Sequence, residues 1–169
     1  IEAAKKHNMQ VILSEEVKSK NGDILGLFLK EEIKMKGEDP KKVIEEIHRQ
    51  NGIVIIPHPF DFKKPFKNIE NYIDMIDGIE IFNARRLFNG DNEKARKLSE
   101  KYPDLCITAG SDAHISTGVA YAYIESDAKN LEEFRNNILN KNIKWVGKKA
   151  PTKYLLVPTV KKVKTFLFK

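Results

Sequence analysis

Short apolar runs alternate with stretches of helical periodicity along the chain. Residues 53–56 are four apolar residues in succession, the pattern of a strand buried on both faces. Similar strand patterns appear at about 10–15, 24–29, 79–83 and 105–109, with shorter ones at 121–124 and 143–146. Asp39-Pro40 predicts a helix N-cap followed by proline at the first helical position. Val43, Ile44 and Ile47 share one face of that helix. His48 and Arg49 suit its C-terminal dipole, and Asn51-Gly52 ends it. A weaker helix is expected over 68–76, and Ala95, Leu98 and Tyr102 mark the face of another. Asn130 and Glu133 have the spacing of a capping box ahead of Leu131, Phe134 and Ile138. A basic amphipathic helix is expected near 158–168, with Val160, Val163 and Leu167 on one side. Strands alternating with helices imply βαβ units and an α/β fold with a mainly parallel sheet, here curved into part of a barrel. Folds of that class place their chemistry at the C-terminal ends of the strands.

Composition narrows the class. A chain of 169 residues has the length of one domain and needs no covalent staple to fold. Its one cysteine, Cys106, excludes an intramolecular disulfide and points to a reducing, cytoplasmic compartment. No apolar run approaches the ~20 residues of a spanning helix, and residues 1–10 show no signal-peptide pattern. The chain opens on Ile1 rather than Met, and residues 1–7 already read as the middle of a helix. The expectation is therefore a piece of a longer protein.

Charge adds an asymmetry. Residues 134–169 hold 10 of the 30 basic side chains and none of the 24 acidic ones. Such a block is either a solvated tail or a contact for phosphate, nucleic acid or an anionic surface. Lysines outnumber arginines 25 to 5, which weakens a sequence-reading role on nucleic acid, where arginine is the favoured reader.

Three polar clusters lie at predicted strand ends. Gly110-Ser111-Asp112-Ala113-His114 follows the 105–109 strand. If the backbone stays extended, Asp112 and His114 point the same way and make a carboxylate–imidazole pair suited to Zn, Mn or Fe; the alternative is a polar loop. His58 stands between Pro57 and Pro59, whose fixed φ angles stiffen the backbone around it. Ser14-Glu15-Glu16 ends the first predicted strand, and only one of the two adjacent acids can face the site. Asn83, Arg85 and Arg86 follow the strand at 79–82; Asn83 is a candidate to orient a ligand and an arginine to bind phosphate. Asp23 reads as a turn aspartate after Asn21-Gly22, and Cys106 as core. There is no glycine-rich nucleotide loop and no nucleophile elbow.

Taken in order, SEEV at 14–17, GDILGLFL at 22–29, VIIPHPF at 54–60, GIEIFNAR at 78–85, TAGSDAH at 108–114 and Gly118 resemble the PHP family, the polymerase and histidinol phosphatase metallohydrolases. The resemblance covers about residues 1–150, with 151–169 as a basic extension. It implies a distorted seven-stranded β/α, TIM-like barrel, with the N-terminal strands missing from this chain. It also implies a site of two or three divalent ions (Zn, Mn or Fe) that hydrolyses a small phosphorylated substrate. Glu16, His58, Asp112 and His114 match the family's metal ligands, and Asn83 and Arg85 become substrate-binding candidates. The family's opening H-x-H and second aspartate–histidine motif have no counterpart here, and Asp23 stands where many members carry a histidine ligand. The chain alone is thus expected to bind metal weakly and hydrolyse poorly. The competing readings are a non-catalytic module that binds nucleic acid through its basic tail, and a scaffold on the same fold that holds no metal.

Overall fold

The computed structural model describes residues 6–7, 9–86 and 89–154. Five strands form one sheet in the order β1 (Ser14–Lys18), β2 (Asp23–Leu27), β3 (Ile53–Ile56), β4 (Gly78–Asn83) and β5 (Cys106–Gly110). Helix α1 (Pro40–Arg49) lies between β2 and β3, and α2 (Asn89–Lys101) between β4 and β5. Beyond β5, β6 (Ala122–Glu125), α3 (Leu131–Leu139) and β7 (Lys144–Gly147) form a second unit. Its two strands pair antiparallel.

The sheet is mixed, where the alternating pattern predicted it mainly parallel. β1–β2 and β2–β3 are antiparallel; β3–β4 and β4–β5 are parallel. For the first pair the cause is the connection after β1. Only residues 19–22 separate it from β2, and a parallel return needs a crossover of a dozen residues or more. Ser19 closes this hairpin, its N–H donating to the Gly22 carbonyl at 2.9 Å and its hydroxyl to the same oxygen at 2.6 Å. Gly22 has φ +151°, and a Cβ there would stand 2.9 Å from Phe66 Cα, so a side chain is excluded. The sheet is also open rather than closed into a barrel, with β1 and β5 as its outer strands.

The remaining differences are local. The first strand starts at Ser14, not near residue 10. Met9, Val11 and Leu13 alternate as a strand would, but stay exposed with no described strand to pair them. The 68–76 helix is a 3-10 helix over Ile69–Met75. The amphipathic helix expected at 158–168 lies outside the described residues.

Both faces of the sheet are covered, as the apolar run of β3 requires. Val54 and Ile56 pack with Ile24, Ile79 and the Val43–Ile44–Ile47 face of α1. Ile53 and Ile55 point the other way, against Cys106, Ile138 and, from α3, Phe134 and Leu139. Each fully buried isoleucine contributes about 2 kcal/mol of transfer free energy. Asp39 caps α1, its carboxylate accepting from the Lys41 amide at 2.9 Å, and Pro40 occupies the first turn. Asn130 caps α3 by accepting from the Glu133 amide at 2.9 Å, the contact its spacing predicted. The covered, parallel half of the sheet fixes the end at which β3, β4 and β5 all finish.

Candidate metal centre

The antiparallel start of the sheet decides which donors reach that end. β1 runs toward it, and β2 runs away from it. The last residues of β1 and the first of β2 therefore sit beside the last residue of β3. In the ladder Lys18 faces Asp23 and Glu16 faces Leu25, so Glu16, Lys18 and Asp23 share one face of the hairpin. His58 follows β3 by two residues. One donor atom from each of Glu16, Asp23 and His58 lies within 4.8 Å of the others. Glu16 Oε2 is 3.6 Å from His58 Nε2, and the imidazole is 9% exposed. Glu15, on the opposite face, accepts instead from the Ile33 amide at 2.7 Å.

The electrostatics follow from this crowding. The neighbouring His58 imidazole holds the Glu16 carboxyl below its usual pKa. Burial, then the charge of Glu16, pushes Asp23 above the usual carboxylate value. Burial works against a charged His58, but Glu16 and then Glu80 outweigh it and raise the imidazole pKa. Two carboxylates and one imidazole, without thiolate, suit a divalent ion such as Mn, Fe or Zn. They are close enough together for one ion to draw in all three at bonds of ~2.0–2.2 Å.

Asp112 and His114 sit across β4 from this group, beyond the end of β5. The backbone does not stay extended there. Asp112 has φ +46°, and the chain turns so that His114 Nδ1 meets the Asp112 carbonyl oxygen at 3.0 Å. The two side chains still meet, with Nδ1 3.6 Å from Oδ1. The Asp112 carboxylate is engaged by Arg86 at 2.8 Å, while Arg85 Nη1 stands 3.8 Å away. Arg86 also pairs with Asp61, on the loop that begins at His58. Arg85 has its Nε buried without a hydrogen-bond partner among the described residues. Asn83 is 1% exposed. Its side chain donates to Glu80 at 2.9 Å and toward Asp112 at 3.4 Å, and its Oδ1 accepts from the Arg85 backbone N–H at 2.9 Å. It is buried among Glu80, Arg85 and Asp112.

Two residues carry more of the arrangement than their sequence context suggested. Asp23 joins the cluster because β2 is antiparallel, which its turn setting did not show. Glu80 is buried in the middle of β4, accepts from the His58 amide at 2.9 Å, and is pushed by burial up to a pKa of about 7. A lone acid inside the apolar run GIEIF was the available signal, since an unpaired charge is costly to bury.

Residues 89–143 match the family model described as PHP-associated. A solved two-domain protein from Bacteroides vulgatus, containing a predicted PHP-like metal-dependent phosphoesterase, superposes with a TM-score of 0.72. It is 17% identical and covers 87% of this chain and 47% of its own. The fold is PHP-like. PsfC from Pseudomonas syringae shares it at a TM-score of 0.61 and 13% identity, covering 92% of this chain and 66% of its own. The uncharacterized protein MJ0417 of Methanocaldococcus jannaschii is 33% identical over 129 residues, 72% of this chain and 54% of the relative. This PHP-like chain thus spans about half the length of the curated relatives it matches. Among its described residues no helix is long and apolar enough to cross a membrane.

Proposed function

We propose that the complete protein is a PHP-type, metal-dependent phosphoesterase, and that this chain supplies one part of its metal centre. The observation that carries this reading is the meeting of Glu16, Asp23 and His58 at one end of a PHP-like sheet. Glu16, Asp23 and His58 would hold one divalent ion. Asp112 and His114 would serve a neighbouring ion together with donors supplied outside residues 1–169. Metals bound there lower the pKa of a water and neutralise charge on the phosphate oxygens. The chain's own residues do the rest. Arg85, whose Nη1 stands 3.8 Å from Asp112, would take a phosphate oxygen, and Asn83 would hold the Arg85 amide and the Asp112 carboxylate in register. The Asp61–Arg86–Asp112 bridge ties the loop after β3 to the loop after β5. In the complete protein the open sheet would be closed by further strands into the seven-stranded barrel.

The test compares full-length protein with residues 1–169, each with Mn or Zn, on p-nitrophenyl phosphate. Hydrolysis by the full-length protein only, lost on chelation and in His58→Ala, is the expected result. Outer donors cannot replace a direct ligand, so the loss in His58→Ala should reach at least about 100-fold. Full-length protein that binds Mn but hydrolyses none of a panel of phosphate esters would sink the activity. Equal hydrolysis by both chains would show the site to be complete within residues 1–169.

A further inference from the structure

The geometry points to a further role at this site: Glu80 is the positioning residue that aims His58 and, through Asn83, Asp112. The inference rests on the metal centre proposed above and adds a residue to it. Glu80 Oε2 accepts from the His58 backbone N–H at 2.9 Å and from Asn83 Nδ2 at 2.9 Å. The same Asn83 nitrogen lies 3.4 Å from Asp112 Oδ2. One carboxylate oxygen in β4 therefore links the residues that follow β3 and β5.

Both residues it serves need holding. His58 has φ +32° and Asp112 φ +46°. Such angles are uncommon for side-chain-bearing residues and persist only where the surroundings over-determine them. Pro57 and Pro59 restrict the chain on either side of His58 but cannot fix the plane of its amide. A hydrogen bond from that amide to a buried side-chain oxygen, here at 2.9 Å, does. Glu80 is itself rigid. It is 9% exposed, sits between Ile79 and Ile81, and its other oxygen lies against the backbone of Gly110. A Cβ at Gly110 would stand 2.5 Å from Glu80 Oε1, so the glycine on β5 makes the space for this carboxylate. An apolar residue at position 80 would fill β4 at lower desolvation cost. The acid is explained by what it holds.

Full-length protein carrying Glu80→Leu or Glu80→Gln tests this in two steps. The first needs no metal. In the metal-free protein, the His58 amide proton should exchange at least about 10-fold faster in Glu80→Leu, with a smaller change in Glu80→Gln, which keeps a neutral acceptor. The second is Mn affinity by calorimetry and the visible absorption bands of the Co-loaded protein. Outer partners of metal ligands commonly contribute about 10–100-fold in affinity. Glu80→Leu should lose that much, Glu80→Gln about 3–10-fold, and the Co bands should shift in both. If Glu80→Leu does not fold, Glu80→Gln decides alone. A folded variant with the wild-type His58 exchange rate, Mn affinity and Co spectrum overturns the role of Glu80. A wild-type protein that binds neither ion, yet shows the faster His58 exchange in the variants, overturns the metal centre and leaves the backbone contact standing.

Discussion

Asp23 shows what the site costs the fold. Its carboxyl is held above the usual pKa by burial and by Glu16, so in the metal-free protein its ionised form is disfavoured where it stands. Asp23→Asn keeps the shape and removes the charge. The metal-free variant is expected to melt about 2 °C higher than the wild type, while the stabilisation gained on adding Mn disappears. Differential scanning fluorimetry with and without Mn reads both effects, and a lower melting point in the metal-free variant would contradict the repulsion. Cys106 makes the opposite kind of site. Burial, with Asp77 nearby, pushes its thiol up to about 12, so it stays protonated through the neutral range. Iodoacetamide at pH 8 should leave it largely unmodified in the native protein and label it readily in urea. Fast native labelling would mean that the thiol is open to solvent.

At the scale of elements, β4 and β5 approach each other closely at Gly78. A Cβ on Gly78 would overlap both the sulfur and the carbonyl oxygen of Cys106. Gly78→Ala therefore has to push two parallel strands apart, and overpacking of this kind costs about 1–3 kcal/mol. A urea midpoint within error of the wild type would show that β4 and β5 can separate without loss. Most elements were legible from their residues. The continuous apolar run at 53–56 marked a strand covered on both faces, and Asp39-Pro40 and Asn130 marked two helix starts. The opposite directions of β1 and β2 were legible in the short connection at 19–22, but the direction of β2 against β3 was not, because residues 28–52 are long enough for either return. Asp23 was undervalued for that reason: at the start of a strand parallel to β3 it would lie at the far end of the sheet. Glu80 was passed over because a single acid in an apolar strand carries no spacing to match. The His58 and Asp112–His114 clusters stood out because local stiffness and short spacing survive without knowledge of topology, although the left-handed turn at Asp112 did not.

For the molecule as a whole, one edge of the sheet is unprotected among the described residues. β1 is an outer strand, and Met9, Val11 and Leu13 just before it are 64%, 52% and 47% exposed. Exposed apolar residues beside an unpaired strand are a template for another chain. The 169-residue chain is expected to self-associate at micromolar concentration in sedimentation velocity, and Val11→Lys with Leu13→Lys to shift it toward monomer. A wild-type chain that stays monomeric would show the edge to be covered. The two arginine bridges and the Glu80 contacts lie at the other side of the sheet, so these substitutions should leave His58 and Asp112 in place.

The hairpin of β1 and β2 also sets an order of events. Its strands are only four residues apart, and a local hairpin closes in about 1–10 μs, ahead of contacts that must span a longer loop. Closing it brings Glu16 and Asp23 onto one face before His58, 35 residues beyond Asp23, has arrived to offset them. Of the hairpin's strand residues, Lys18 is the cation that shares that face in the meantime. The nascent chain therefore meets a brief electrostatic obstacle of its own making, which a divalent cation can relieve. Refolding monitored by stopped-flow fluorescence of Trp145 should accelerate with millimolar Mg or Mn, and that acceleration should vanish in Asp23→Asn.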